Sequence, residues 1–434
     1  MEQRRCQSLY RQWRTVADRH AADFAVEDTL SGRVWTFRDL AEWAESLPPA
    51  AGEVLAASGR GLEFAGQVLR AWRDGAVLVP AEEAAPGPDL AGMADLPDTI
   101  GHVKTTSGST GTPRQVLMTP GQLAADAGQI VSTMGLRRGW PNVAAISLAH
   151  SYGFSSLVLP LLLHGIPLVL MESPLPDALR RVLARYPAVT VPAVPALWRA
   201  WQGAGVIDSR VKLAISAGAP LTLELEKAVF DATGVKIHNF YGSSECGGIA
   251  YDRTPVPRAD SRMAGTAMDG VRLRVNDTTG VLEVGSAGVA EGYAVPDGAL
   301  RDQVFTTPDL AEIEADGTVF LLGRTGESIL VAGRKIAPAS VEEKLLSLPG
   351  VRHCVVFGVP SPDPARVEEI VAGLHLDPGF HLESLRAAAA RALPSGQQPR
   401  HWFSDGTLRP DVRGKISRAA WRSWWLERRA AADR

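Results

Sequence analysis

The sequence predicts an α/β fold: a large N-terminal domain with parallel α/β sheets, a small β-barrel-like region within it, and a small α+β domain at the C-terminal end. Three changes of pattern carry this reading. Between about Phe64 and Leu225, helix-period segments alternate with short apolar runs such as Ala76-Val77-Leu78-Val79, Val143-Ala144-Ala145-Ile146 and Leu213-Ala214-Ile215, the βαβα order of a parallel sheet. From Val271 to Leu322 the pattern turns to strands alone. Val271 to Val275 alternates, Val281 to Val284 follows, and Ala311-Glu312-Ile313-Glu314 faces Thr318-Val319-Phe320-Leu321 across Asp316-Gly317, a hairpin signal. After Gly323-Arg324-Thr325-Gly326 helices and strands mix again, with a helix over 340–348 and a strand from Cys354 to Val359. The boundary falls near Arg324, giving domains at 1–323 and 324–434.

The remaining elements follow in order. Leu9, Trp13 and Val16 sit at helical spacing behind Met1-Glu2-Gln3-Arg4-Arg5, with no long apolar stretch or small-residue cleavage site, so the opening reads as an amphipathic helix and not a secretion signal. An Ala/Pro/Glu-rich loop runs from Pro80 to Pro88. Ser155 to Met171 is the most apolar stretch, but His164-Gly165 and Pro167 break it; it predicts a buried helix turning into the strand Leu168-Val169-Leu170, not a membrane span. Ala387 to Ala390 is helical. Near the end, Trp421, Trp424 and Trp425 share one helical face with arginines close by. That face suits packing onto the C-terminal domain first, and a membrane surface or partner second.

Composition bounds the function. The 434 residues are 45% hydrophobic and 21% charged with net charge −3, ordinary for a soluble protein with more than one core and no warrant for nucleic-acid or anionic-membrane binding. Small-molecule chemistry stays open. Cys6, Cys246 and Cys354 are odd in number and lack C-x-x-C spacing, which argues against a disulfide framework or structural zinc and fits a reducing cytoplasm.

The most informative stretch is Thr105-Thr106-Ser107-Gly108-Ser109-Thr110-Gly111-Thr112-Pro113-Arg114. Glycines among hydroxyls make a loop whose backbone N–H groups can cradle phosphates. No lysine follows the second glycine, so the spacing excludes the Walker loop. Further on stand Ser216-Ala217-Gly218-Ala219-Pro220 after an apolar strand, Asn239-Phe240-Tyr241-Gly242-Ser243-Ser244-Glu245, Thr306-Thr307-Pro308-Asp309-Leu310-Ala311, Gly323-Arg324-Thr325-Gly326-Glu327, Ala332-Gly333-Arg334-Lys335-Ile336-Ala337-Pro338-Ala339-Ser340-Val341-Glu342, and Arg413-Gly414-Lys415-Ile416-Ser417-Arg418. Each alone has a plain structural reading: a solvated turn, a capping Ser-Ser-Glu, an Asx-turn aspartate, a surface lysine. Their order is what adds information.

Taken in that order, these segments resemble the adenylate-forming ligases, the family of acyl-CoA synthetases, luciferases and peptide-synthetase adenylation domains. The resemblance implies that Thr106, Ser107, Gly108, Ser109, Thr110 and Gly111 hold the phosphates, and that Gly218, Ala219 and Pro220 bring backbone to the adenine. It implies that Asn239, Phe240, Tyr241, Gly242 and Ser244 belong to the nucleotide site, with the Tyr241 ring on the adenine, and that Glu245 binds Mg²⁺. Asp309 and Arg324 reach the ribose, Gly326 is the hinge of a mobile C-terminal domain, Gly333 lines a tunnel for a thiol arm, and Lys415 bridges the reacting oxygens. His150-Ser151-Tyr152-Gly153-Phe154 resembles the family's acyl-pocket segment, which places His150, Tyr152, Phe154 and Gly247 at the acyl group. Arg114, Ala217, Pro308 and Gly326 depart from the family pattern.

The implied activity is ATP-dependent activation of a carboxylic acid to an acyl-adenylate, then transfer to a thiol. Coenzyme A and the phosphopantetheine arm of a carrier protein are both open as acceptors. Tyr152 stands where amino-acid-activating relatives carry an aspartate, so an aryl or fatty acid is favoured over an amino acid. The departures keep one reading of another class in view: a nucleotide-binding pseudoenzyme or regulatory subunit. Retention of Glu245, Asp309, Arg324 and Lys415 weighs against it.

Overall fold

A computed structural model of the chain describes residues 6–59, 61–82, 93, 96–106, 114–332, 334–363, 367–411 and 416–432. Among these, the largest sheet has fourteen strands. Its parallel half is Phe24–Asp28, Leu168–Leu170, Asn142–Ala144, Val189–Ala193, Val211–Ser216 and Ile237–Ser243. The runs at Val143 and Leu213 of the βαβα pattern lie here, buried on both faces by flanking helices, whereas the run at Val77 lies in a second sheet. Trp198 and Trp201 are fully buried in the layer outside this half, Trp13 and Trp72 in the layer beneath it.

Ile237–Ser243 is the junction. One edge pairs in parallel with Val211–Ser216, the other antiparallel with Gly247–Tyr251. From there the sheet runs on through Met263–Ala267, Thr318–Arg324, Val304–Ile313, Val281–Gly285 and Arg272–Val275, all antiparallel. The strands read as a small barrel-like region are thus the antiparallel wing of the large sheet. The hairpin across Asp316-Gly317 pairs Ile313 with Val319 and Glu312 with Phe320, and a one-residue register shift between Leu310 and Ala311 then sets Asp309 opposite Arg324, where the unshifted ladder would bring Gly323. Asp309 therefore lies in a strand, not a free turn.

A second sheet of five strands carries the phosphate-loop segment, in the order Gly292–Tyr293, Gln115–Met118, His102–Thr105, Val77–Ala81, Val54–Ser58. The helix Pro120–Met134 leaves it behind a Thr119/Gln122 capping box and packs between the two sheets. The apolar stretch from Ser155 forms a π-turn over Phe154–Val158, a helix Leu159–His164 that stops at Gly165 (φ 69°), and the expected strand Leu168–Leu170. No helix among the described residues is long and apolar enough to cross a membrane.

The last hundred residues hold their own core. Val351–Pro360, Glu368–Leu376 and His401–Ser404 form a three-stranded sheet, with the helices Pro338–Leu346 and Leu382–Ala392 on one face and Arg418–Ala432 on the other. The tryptophans behave as packing residues. The Phe403 ring lies 5.8, 5.1 and 5.3 Å from those of Trp421, Trp424 and Trp425. Replacing Phe403 with Ala should cost about 2–3 kcal/mol, a little under the loss for a fully buried ring. Denaturant unfolding followed by tryptophan fluorescence reads this directly, and an unchanged midpoint would mean the helix is held elsewhere.

Candidate active site

The strand Ile237–Ser243 ends where its side chains alternate between two regions. Tyr241 points to the antiparallel wing, and its hydroxyl donates to Asp309 Oδ2 at 2.6 Å. Arg324 Nε donates to Asp309 Oδ1 at 2.8 Å. Burial, then the Asp309 charge, push the Tyr241 phenol well above its ordinary range, so it remains a donor. Three residues expected at the nucleotide are thereby brought into one hydrogen-bonded chain. Phe240, on the other face, is 6% exposed and packs in the core against Tyr152, ring centroids 5.9 Å apart. Its side chain therefore faces away from that of Tyr241, because consecutive strand residues face opposite ways.

Gly218 adopts φ +86°, a conformation a side chain would strain, and it opens the turn that carries Ala219 and Pro220. Gly242 is equally constrained: a Cβ there would lie 2.7 Å from the Gly247 carbonyl oxygen. Asn239 donates its amide to the Met263 carbonyl at 3.3 Å. The Ser244 hydroxyl lies 2.8 Å from that of Ser151, tying the loop after the strand to the His150 segment, whose Nδ1 accepts from the Tyr152 N–H at 3.2 Å. At the phosphate loop, Thr106 and Arg114 close the mouth: Thr106 N donates to the Arg114 carbonyl at 2.8 Å, and Arg114 N to Thr106 Oγ1 at 3.2 Å. Ser107, Gly108, Ser109, Thr110 and Gly111 between them lie outside the described residues, as do Gly333 and Lys415.

Glu245 Oε1 accepts from the Tyr293 hydroxyl at 2.9 Å, and its carbonyl accepts from Ala290 N at 2.8 Å. Among the described residues no cluster of three or more His, Cys, Asp or Glu exists that would hold a metal unaided. A single carboxylate beside a phosphate loop fits Mg²⁺, which takes one or two protein carboxylates and completes its shell with phosphate and water. Cys246 next to it is fully buried, and burial raises its thiol far above the usual range, so it is an inert packing group.

Phe154 and Gly247, both expected at the acyl group, are closely packed. Phe154 is 1% exposed, edge-on to Phe64 at 6.3 Å and 4.5 Å from the His102 ring. Two residues along a helical backbone turn by about 200°, so with Tyr152 against Phe240, Phe154 must face the opposite side, the core. Gly247 is small for another reason: at φ +69°, a Cβ would fall 2.0 Å from Asp126 Oδ1. The glycine that faces the ring cluster is Gly248, whose Cβ would lie 2.2 Å from Met268 Sδ and 3.1 Å from Phe240.

A family model described as AMP-binding enzyme matches residues 53–294. The probable 2-succinylbenzoate–CoA ligase of Mycobacterium tuberculosis is 31% identical over 343 residues, covering 75% of this chain and 84% of that protein. The chain belongs to the AMP-binding enzyme family. Feruloyl-CoA synthase from an Amycolatopsis species is 28% identical over 69% of this chain and 63% of its own length. The structure of ATP-bound MatB from Rhodopseudomonas palustris superposes with a TM-score of 0.82 at 19% identity, covering 96% of this chain and 99% of that one, a likeness of fold.

In this AMP-binding enzyme, sequence reasoning missed Asp126 and its partners. Asp126 is fully buried; it accepts from Ser155 Oγ at 2.6 Å and from Gly248 N at 3.3 Å, with the buried Lys104 ammonium 3.9 Å away. The signal was present: Leu123, Asp126, Ala127, Ile130 and Met134 form one buried stripe, with a carboxylate where an apolar residue belongs. Asp126→Ala should destabilise by about 3–5 kcal/mol, because Lys104 is left buried without a counter-charge, and adding Lys104→Met should restore most of the loss. Urea titration of the single and double variants decides; equal losses in both would break the assignment.

Proposed function

We propose that this chain uses ATP to convert a carboxylic acid to its acyl-adenylate and then passes the acyl group to the thiol of coenzyme A. The observation that carries the reading is the convergence of the Tyr241–Asp309–Arg324 chain, the Glu245 carboxylate and the closed mouth of the phosphate loop at one end of the junction strand. The first step joins a carboxylate oxygen to the α-phosphorus and breaks the bond to pyrophosphate. The second joins the thiolate sulfur to the acyl carbon and releases AMP. Little proton chemistry is needed in the first, so the protein's work there is positioning and charge stabilisation.

Asp309 and Arg324 would receive the ribose and the Tyr241 ring the adenine. Thr106 and the loop after it would hold the phosphates. Glu245 would hold Mg²⁺, which neutralises charge on the phosphates when bound. Lys415, on the resemblance of its segment, would place a compact positive charge between the carboxylate and the α-phosphate. The 324–434 domain would then turn about Gly326, carrying Lys415 away and bringing Gly333 to the thiol. Gly326 sits at φ +77° with nothing within 4 Å of its Cβ position, which leaves room for such a swing.

Tyr152 gives the acyl side a neutral, largely apolar wall: burial holds its phenol well above the ordinary range, and no carboxylate is placed there to pair an amino acid's ammonium. Together with relatives named for 2-succinylbenzoate and ferulate, this favours an aryl acid. Three buried, unbridged thiols accord with a cytoplasmic enzyme.

Acid-dependent pyrophosphate release across aryl, fatty and amino acids tests the first half, and adding coenzyme A or a phosphopantetheinylated carrier protein tests the second. Lys415→Ala should lose about 3 kcal/mol of transition-state stabilisation, roughly 100-fold in adenylation rate, while conversion of supplied acyl-adenylate to thioester stays near the parent rate. A variant with full adenylation would remove Lys415 from the mechanism. Absence of pyrophosphate release with every acid, while ATP still binds, would replace the enzyme with a nucleotide-binding regulator.

A further inference from the structure

Tyr293 belongs to none of the segments that first pointed to nucleotide chemistry, yet it touches two of them. It lies on the two-residue strand Gly292–Tyr293, paired with Gln115–Met118, so that Tyr293 sits opposite Val116, the second residue after the phosphate-loop segment ends at Arg114. Its side chain is 5% exposed. The hydroxyl donates to Glu245 Oε1 at 2.9 Å. Over the ring lies the Arg114 guanidinium, its carbon 3.4 Å from the centroid, and that guanidinium is itself held by the Asp297 carboxylate.

We infer that Tyr293 is a positioning residue for the metal-binding carboxylate of Glu245, and that Arg114 holds Tyr293 in place by stacking on its ring. This rests on the functional reading above. A carboxylate on a flexible glutamate has several rotamers and two equivalent oxygens. A buried phenol that donates to one oxygen selects the rotamer and leaves the other oxygen for a hard cation. The backbone grips the same residue: Ala290 N binds the Glu245 carbonyl, and Glu291 N binds the Leu117 carbonyl. Residues 290–293 thus bind both the strand that leaves the phosphate loop and the loop that carries Glu245.

The stacking gives Arg114 a physical purpose. A guanidinium is flat and weakly hydrated, so it can lie on an aromatic face while its edge nitrogens pair with a carboxylate; an ammonium can do one or the other. The departure from lysine at this position is therefore matched to a tyrosine more than a hundred and seventy residues later in the chain.

The experiment compares the full chain with Tyr293→Phe and Arg114→Lys. ATP affinity is measured by calorimetry with Mg²⁺ and with EDTA, alongside melting temperature and the Mg²⁺ concentration giving half-maximal pyrophosphate release. Tyr293→Phe keeps the ring and loses one hydrogen bond to a charged group, so the gain in ATP affinity from Mg²⁺ should shrink by about tenfold and the half-maximal Mg²⁺ concentration rise to match. Metal-free ATP affinity and melting should hold. Arg114→Lys should give a smaller shift of the same kind, about threefold. If Tyr293→Phe leaves the Mg²⁺ dependence at the parent value, or weakens metal-free and metal-bound ATP alike, the positioning role is overturned. If the parent protein itself binds ATP no better with Mg²⁺, the functional reading falls first and the inference with it.

Discussion

A carboxylate cut off from water must be met by donors, and in this protein the one that must be met is Asp126. It takes a hydroxyl from Ser155 on the π-turn, a backbone N–H from Gly248 on the large sheet, and the charge of Lys104 from the smaller sheet. Both sheets and the helical layer between them are therefore fixed against one buried oxygen pair. The demand is strict because an unmet charge at this depth would cost several kcal/mol. It also explains the glycine directly after Cys246. The chain passes Asp126 so closely that a Cβ at Gly247 has no space, and Glu245, two residues earlier, is fixed in place by that same approach.

From this anchor the nucleotide end of the site is preorganised. Asp309 already holds one donor on each oxygen, which fixes its plane, and on the proposed function each oxygen would offer its second lone pair to a ribose hydroxyl. Tyr241, its phenol held protonated by burial, is bound by its hydroxyl at the edge and would offer a ring face to adenine. Groups aimed before substrate arrives spend less of the binding energy on ordering themselves, which is the condition under which electrostatic stabilisation is effective.

Much of this was legible in the residues. The alternating apolar runs gave the parallel strands, and the Asp316-Gly317 hairpin gave the pairing of Ile313 with Val319, but the register shift beyond Ala311 that brings Arg324 rather than Gly323 opposite Asp309 has no local signal. The order of the nucleotide segments assigned Tyr241, Asp309 and Arg324 to one site, but not the hydrogen bond that joins the Tyr241 hydroxyl to Asp309. What could not be read was contact between distant segments with no local pattern. Asp126 and Gly248 are 122 residues apart, and Tyr293 reaches Glu245 from a strand of two residues, too short for any periodicity to announce. Facing had no local signal either: strand alternation sends Phe240 to Tyr152, on the face opposite Tyr241, and helical rotation sends Phe154 to Phe64 and His102.

The same logic bears on how a turning domain keeps its lysine in order. Glu327, directly after Gly326, is paired by Arg418, whose other nitrogens hold Glu342 on the helix Pro338–Leu346 at 3.0 and 2.7 Å. Arg418 is three residues beyond Lys415. Whatever rotation occurs must therefore leave Glu327 moving with the C-terminal core, because separating it from Arg418 would break a charge pair that shields a largely buried guanidinium. The freedom is confined to the residues up to Gly326, where the left-handed φ and the open surroundings allow it. On the proposed rotation, glycine at that position would give the turn its range, and the Arg418 pairing would keep Glu327 with the moving body.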